Sequence, residues 1–200
     1  MKKKTVIAWS LAIFVLGILC LVLLYHYGGF GFAGETQGWV RQAYGVPPIE
    51  ISTPVALSSA DLMGNAPADM EKFIKEAQTF IFTPDQGLQV LLNSVEYQPE
   101  VNLNPEGAAD GAIYTLRNQQ GVNDLKYEEE PVEINGLGGK LLNGTYQKAG
   151  QVYAFRNLLF NSDTHIWQLT LIYPDENQAA AQAAERIQQS IQIPSLSESR

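Results

Sequence analysis

Residues 136–193 read GLGGKLLNGTYQKAGQVYAFRNLLFNSDTHIWQLTLIYPDENQAAAQAAERIQQSIQI. β-formers concentrate in three runs, Lys140 to Gln147, Gln151 to Phe160 and His165 to Tyr173. Lys148-Ala149-Gly150 and Asn161-Ser162-Asp163-Thr164 form compact turns between them, so the runs predict an antiparallel meander. In the last run Trp167, Leu169, Leu171 and Tyr173 alternate with Ile166, Gln168, Thr170 and Ile172. One face is therefore expected to be core and the other partly covered. Pro174 ends the strand, and Asp175 with Gln178 has capping-box spacing. Ala180, Ala183, Ala184, Ile187 and Ile191 then share one face of a closing helix, whose small side chains permit close approach to the sheet.

Upstream, Val132-Glu133-Ile134 leads into this block. Before it, Asn104 suits an N-cap, Pro105 the first helical position and Glu106 the positive helix end. Ala109, Ala112, Ile113 and Leu116 recur at helical spacing, with Gly121 beyond the end. Gly107 and Gly111 weaken the propensity of this helix, which must lean on packing. Thr79 to Phe82 and Gly87 to Tyr97 read as strands around a loop at Thr83 to Gly87. PADMEKFIKEA, residues 67–77, predicts a helix start capped by Asp69, with Phe73 and Ile74 as its apolar contacts. Pro47-Pro48 precedes a short alternating strand, Ile49-Glu50-Ile51-Ser52. The fold class is α+β, an antiparallel β-sheet packed with α-helices.

The amino terminus belongs to a different solvent. Lys2, Lys3 and Lys4 precede the apolar run Val6–Tyr25, twenty residues long. A helix of that length spans about 30 Å, the bilayer hydrocarbon. Trp9 and Tyr25-His26-Tyr27 suit its two interfaces, and the leading lysines predict a cytoplasmic N-terminus. The run is too long for a secretory h-region, Leu19 is wrong before a lipidated Cys20, and apolar residues cover every face. The expected organisation is a basic tail (1–4), an uncleaved transmembrane signal anchor (5–27), a Gly-rich juxtamembrane linker (28–46), the α+β domain (47–193) and a polar tail (194–200). Gly29 to Gly34 matches G-x-G-x-x-G only formally, because that motif needs a preceding strand and a following helix.

Charge composition says the same. The chain has 13 Lys+Arg and 21 Asp+Glu, net −8. No charged residue lies between Lys4 and Glu35, so residues 35–200 hold 10 basic and 21 acidic side chains, net −11. An acidic domain of this kind argues against nucleic acid. A lone cysteine, Cys20, excludes disulfide frameworks, Cys-based zinc sites and iron–sulfur clusters.

Catalytic chemistry has few carriers. His165 stands beside Asp163 and Ser162, but no G-x-S-x-G elbow accompanies them. Glu128, Glu129, Glu130 and Glu133 could offer oxygens to a hard cation. Alternation along a strand would instead send neighbours to opposite faces, leaving a solvated edge. Asn143-Gly144-Thr145 is a formal glycosylation acceptor. Trp39, Trp167 and the tyrosines Tyr44, Tyr97, Tyr114, Tyr146, Tyr153 and Tyr173 fit a core better than an interface. No catalytic, cofactor-binding or metal-binding residue is assigned.

Gly136 to Tyr146, Phe155 to Phe160, Ile166 to Tyr173, the helix after Asp175 and the strand beginning at Ile49 together resemble the PsbP-like and DcrB-like extracytoplasmic domains. The resemblance implies an antiparallel sheet between helices, an α/β/α sandwich. PsbP, an extrinsic photosystem subunit, implies a role in organising or stabilising a membrane complex. The leading expectation is therefore a single-pass membrane protein with a non-catalytic binding or scaffold domain outside the cytoplasm. Its partners would be the bilayer, through residues 5–27, and a protein of a membrane or cell-envelope complex. The alternative is a small-ligand or lipid-binding domain with a cavity lined by Phe80, Phe82, Leu158 and Trp167. A hydrolase using His165 comes third.

Overall fold

Asn135 and Gly136 both adopt positive φ, 50° and 82°, and Ala149 and Gly150 do the same at 51° and 80°. Two consecutive left-handed residues are what a two-residue hairpin needs to match the twist of its strands. These turns pin two registers, Ile134 opposite Leu137 and Lys148 opposite Gln151. The computed structural model describes residues 38–60, 72–83 and 87–193. Its elements are β1 (Val40–Tyr44), β2 (Ile49–Thr53), β3 (Ser58–Ala60), β4 (Ile74–Phe82), β5 (Gln89–Tyr97), α1 (Pro105–Asn118), β6 (Val122–Ile134), β7 (Leu137–Lys148), β8 (Gln151–Asn161), β9 (His165–Pro174) and α2 (Gln178–Gln189). Seven strands pair antiparallel in the order β3-β4-β5-β9-β8-β7-β6, and β1 and β2 form a separate hairpin.

The meander of β7, β8 and β9 is as expected, and β6 extends it to the sheet edge. Both faces of β9 are buried, which corrects the partly covered second face. On one face Trp167, Leu169, Leu171 and Tyr173 join Ala180, Ala184 and Ile187 of α2 and Tyr44, Ile49 and Ile51 of the β1–β2 hairpin. On the other, Ile166 and Ile172 join Ala108, Ala109 and Ile113 of α1. The sheet is thus sandwiched between helices, an α+β architecture.

Local signals hold at α1, where Asn104 Oδ1 accepts from the Glu106 amide at 2.9 Å. At α2 the cap is Asn177, whose Oδ1 accepts from the Ala180 amide at 3.0 Å, rather than Asp175. Pro174 and Asp175 are still engaged with the end of the sheet, since Asp175 N–H donates to Val152 O. The helix expected over 67–77 is also corrected. Residues 67–71 lie outside the described residues, and Ile74 onward is β4, paired with β5. Cross-strand pairing there outweighs the weak helix preference of Lys75-Glu76-Ala77. Val40–Tyr44, expected within the linker over 28–46, is instead a strand, with Tyr44 6% exposed in the core, and residues 28–37 lie outside the described residues. The anchor at 5–27 lies outside the described residues. Among those described, no helix is long and apolar enough to cross a membrane.

Polar side chains are buried on the face of the sheet that α1 packs against. Thr79 Oγ1 donates to Asn93 Oδ1 at 2.9 Å, and Asn157 Nδ2 donates to Thr170 Oγ1 at 2.7 Å. Gln168, opposite Asn93 and two residues from Thr170 on β9, is 1% exposed with neither amide atom hydrogen-bonded. A buried unpaired polar atom costs about 1–3 kcal/mol. Gln168→Leu, close in volume, should raise stability by about 1–2 kcal/mol; a lower urea midpoint for the variant would contradict this.

Candidate functional site

His165 is the one histidine among the described residues, and the fold gives it different company from its sequence neighbours. Register places it opposite Glu96 of β5, with Nε2 3.7 Å from the carboxylate. Lys75 Nζ holds the same carboxylate at 2.6 Å. Nδ1 is 3.0 Å from Thr164 Oγ1 and 3.5 Å from Ser162 Oγ. The ring stacks on Trp167 at 5.6 Å and 18°. The carboxylate expected from Asp163 thus comes from Glu96, which only strand pairing brings near. A general base needs its hydroxyl within about 2.6–3.2 Å. Ser162 lies beyond that range, and Thr164 occupies the same ring nitrogen. These contacts describe a packed histidine at the first position of the interior strand β9.

Burial lowers the His165 pKa below its ordinary 6.5, with Glu96 pulling the other way. The folded protein therefore binds fewer protons here than the unfolded chain. His165 contributes stability above about pH 6.5 that is lost as the pH falls through its folded value. Proton NMR should give a His165 midpoint below 6.5, and His165→Gln should flatten the stability profile over about pH 5–7. A midpoint above 6.5 would mean that Glu96 outweighs burial.

The acidic run falls on the edge strand β6. Glu128 and Glu130 share the α2 face, while Glu129 points the other way and pairs with Lys140 Nζ. That bond raises the lysine's pKa. Among the described residues no three His, Cys, Asp or Glu side chains are grouped to hold a metal. Asn143 of the glycosylation signal is inside β7, opposite Glu128 of β6 and Arg156 of β8.

A cavity of about 30 Å³ lies between α1 and the sheet, lined by Ile113, Leu116, Leu142, Phe155, Asn157 and Ile172 among others. It has room for about two waters, far less than the roughly 300 Å³ at which small-molecule pockets begin. Phe80, Phe82, Leu158 and Trp167, expected to line a cavity, instead pack with the core on the opposite, α2 face.

The larger concavity is an open groove of about 470 Å³ on the α2 face, lined only by strands. Two cross-strand rows make its floor. Leu171, Arg156, Asn143 and Glu128 form one, and Tyr173, Ala154, Thr145 and Lys126 the other. Gln188 of α2 accepts from Arg156 Nη1 at 3.0 Å and so orients the guanidinium. Among the described residues neither Arg156 nor Lys126 forms an ion pair. Sequence reasoning missed this set. The two hairpin turns were the available signal, since each fixes which residues face each other across its strands.

No protein-family model matches the chain, and no curated protein does. Solved structures do. The solution structure of cyanobacterial PsbP (CyanoP) from Synechocystis is 12% identical, with 84% of this chain and 98% of that chain covered and a TM-score of 0.55. LpqN, involved in cell envelope biogenesis of Mycobacterium tuberculosis, is 14% identical over 78% of this chain and 91% of that chain, with a TM-score of 0.45. At 12% identity the likeness to CyanoP is one of fold, and the sheet between two helices is the PsbP-like α+β architecture.

Proposed function

We propose that the chain is a membrane-anchored accessory protein whose domain binds a protein partner in a membrane or cell-envelope complex, without catalysis. Residues 5–27 would span the bilayer with the N-terminus in the cytoplasm and the domain outside. Support for the anchor is the uncharged run after three lysines. The observation that carries the binding reading is the open groove of about 470 Å³ lined by Arg156 and Lys126, which form no ion pair among the described residues. The PsbP-like fold fits an accessory role. A ligand-binding interior is disfavoured by the 30 Å³ cavity.

Two measurements test the proposal. External protease should digest the domain in intact, wall-stripped cells, and protection there would overturn the topology. Affinity capture of the full-length chain from gently solubilised membranes should retain a stoichiometric protein partner. Recovery of the chain alone would overturn the accessory role.

A further inference from the structure

The groove's charges are specific enough to describe what it holds. Among the described residues several cations are already engaged: Arg41 with Glu50, Lys75 with Glu96, Lys140 with Glu129, and Arg186 over the Trp39 ring at 4.0 Å. Arg156 and Lys126 differ, because both line one concavity and neither meets a carboxylate. Arg156 gives one N–H to a neutral acceptor, Gln188, which fixes the guanidinium plane and leaves its other donors available. Asn143 and Thr145 of β7 lie in the two rows between the cations' strands. The side of the groove along β6 is of mixed sign, since Lys126, Glu128 and Glu130 alternate onto the same face.

That pattern selects among anions. A phosphate-rich membrane surface would meet Glu128 and Glu130 on a chain of net charge −8, and like charge would repel it. A single carboxylate flanked by cations satisfies both signs. Resting on the reading of the domain as a protein-binding module, we propose that this groove docks a partner segment bearing one Asp or Glu between basic residues. Its carboxylate is received by Arg156 and Lys126, and its basic neighbours face Glu128 and Glu130.

The test uses the isotope-labelled full-length chain in detergent micelles, titrated with a capped Lys-Glu-Lys tripeptide. Amide shifts should centre on Lys126, Asn143, Thr145 and Arg156, with weak, saturable binding. Arg156→Gln and Lys126→Gln should each weaken it by about tenfold, with the remaining spectrum unchanged. Equal shifts from Lys-Gln-Lys, or the same shifts from inorganic phosphate or phosphatidylglycerol vesicles, would overturn the assignment. So would a captured partner that Arg156→Gln and Lys126→Gln retain undiminished, an outcome that leaves the accessory role standing. Failure to capture any partner sinks that role instead, independently of the tripeptide titration.

Discussion

Gly144→Ala should destabilise the domain by about 3 kcal/mol or more. Gly144 is in the middle of β7, opposite Tyr127 of β6 and Phe155 of β8. A Cβ there would collide with the Lys126 carbonyl oxygen and lie 2.8 Å from both Phe155 Cε1 and Tyr127 Cβ. The carbonyl belongs to the backbone and cannot turn aside as a flexible side chain would. Relief requires β6 and β7 to part, which breaks the ladder that carries the free edge. Gly138, with nothing within 4 Å of an added Cβ, is the control in the same strand. Gly138→Ala should change stability by no more than about 0.5–1 kcal/mol, and favourably. Equal unfolding midpoints for the two variants would show that the close approach at Gly144 has no energetic consequence.

Trp167→Ala should cost about 3–5 kcal/mol. The indole is 0% exposed, stacks on Phe160 at 5.4 Å and 17°, and donates from Nε1 to Pro47 O at 3.1 Å. It therefore ties the β1–β2 connection to the centre of the sheet as well as filling the core. Trp167→Phe separates the two contributions. It keeps an aromatic in the stack but leaves the Pro47 carbonyl without its donor, and should cost about 1–3 kcal/mol. Urea unfolding at unchanged slope would measure both. If Trp167→Ala cost less than Trp167→Phe, packing could not be the larger of the indole's two contributions.

Local signals hold wherever nothing distant competes with them. Asn104 caps α1 because an Asn side chain reaches the amide two residues on, whatever the rest of the chain does. The three strand runs and their turns are as expected, since alternation and left-handed turn residues act over a few positions. The differences arise where a distant element overrides a local preference. Lys75-Glu76-Ala77 joins β4 because β5 offers a complete ladder. Val122 to Pro131 does not read as a strand, because its side chains are mostly exposed and only β7 holds them extended.

The groove and the histidine cluster divide along the same line. Charge composition, the apolar run after three lysines and the β-rich second half are properties of the amino-acid sequence alone. They determine an acidic α+β domain and the expectation of a membrane anchor. That Glu96 faces His165, that Arg156 and Lys126 share one concavity, and that α1 closes over polar side chains were decided only by tertiary structure. The physical reason is register. Side chains alternate with a period of two, so a slip of one residue between distant strands would send every one of these groups to the opposite face.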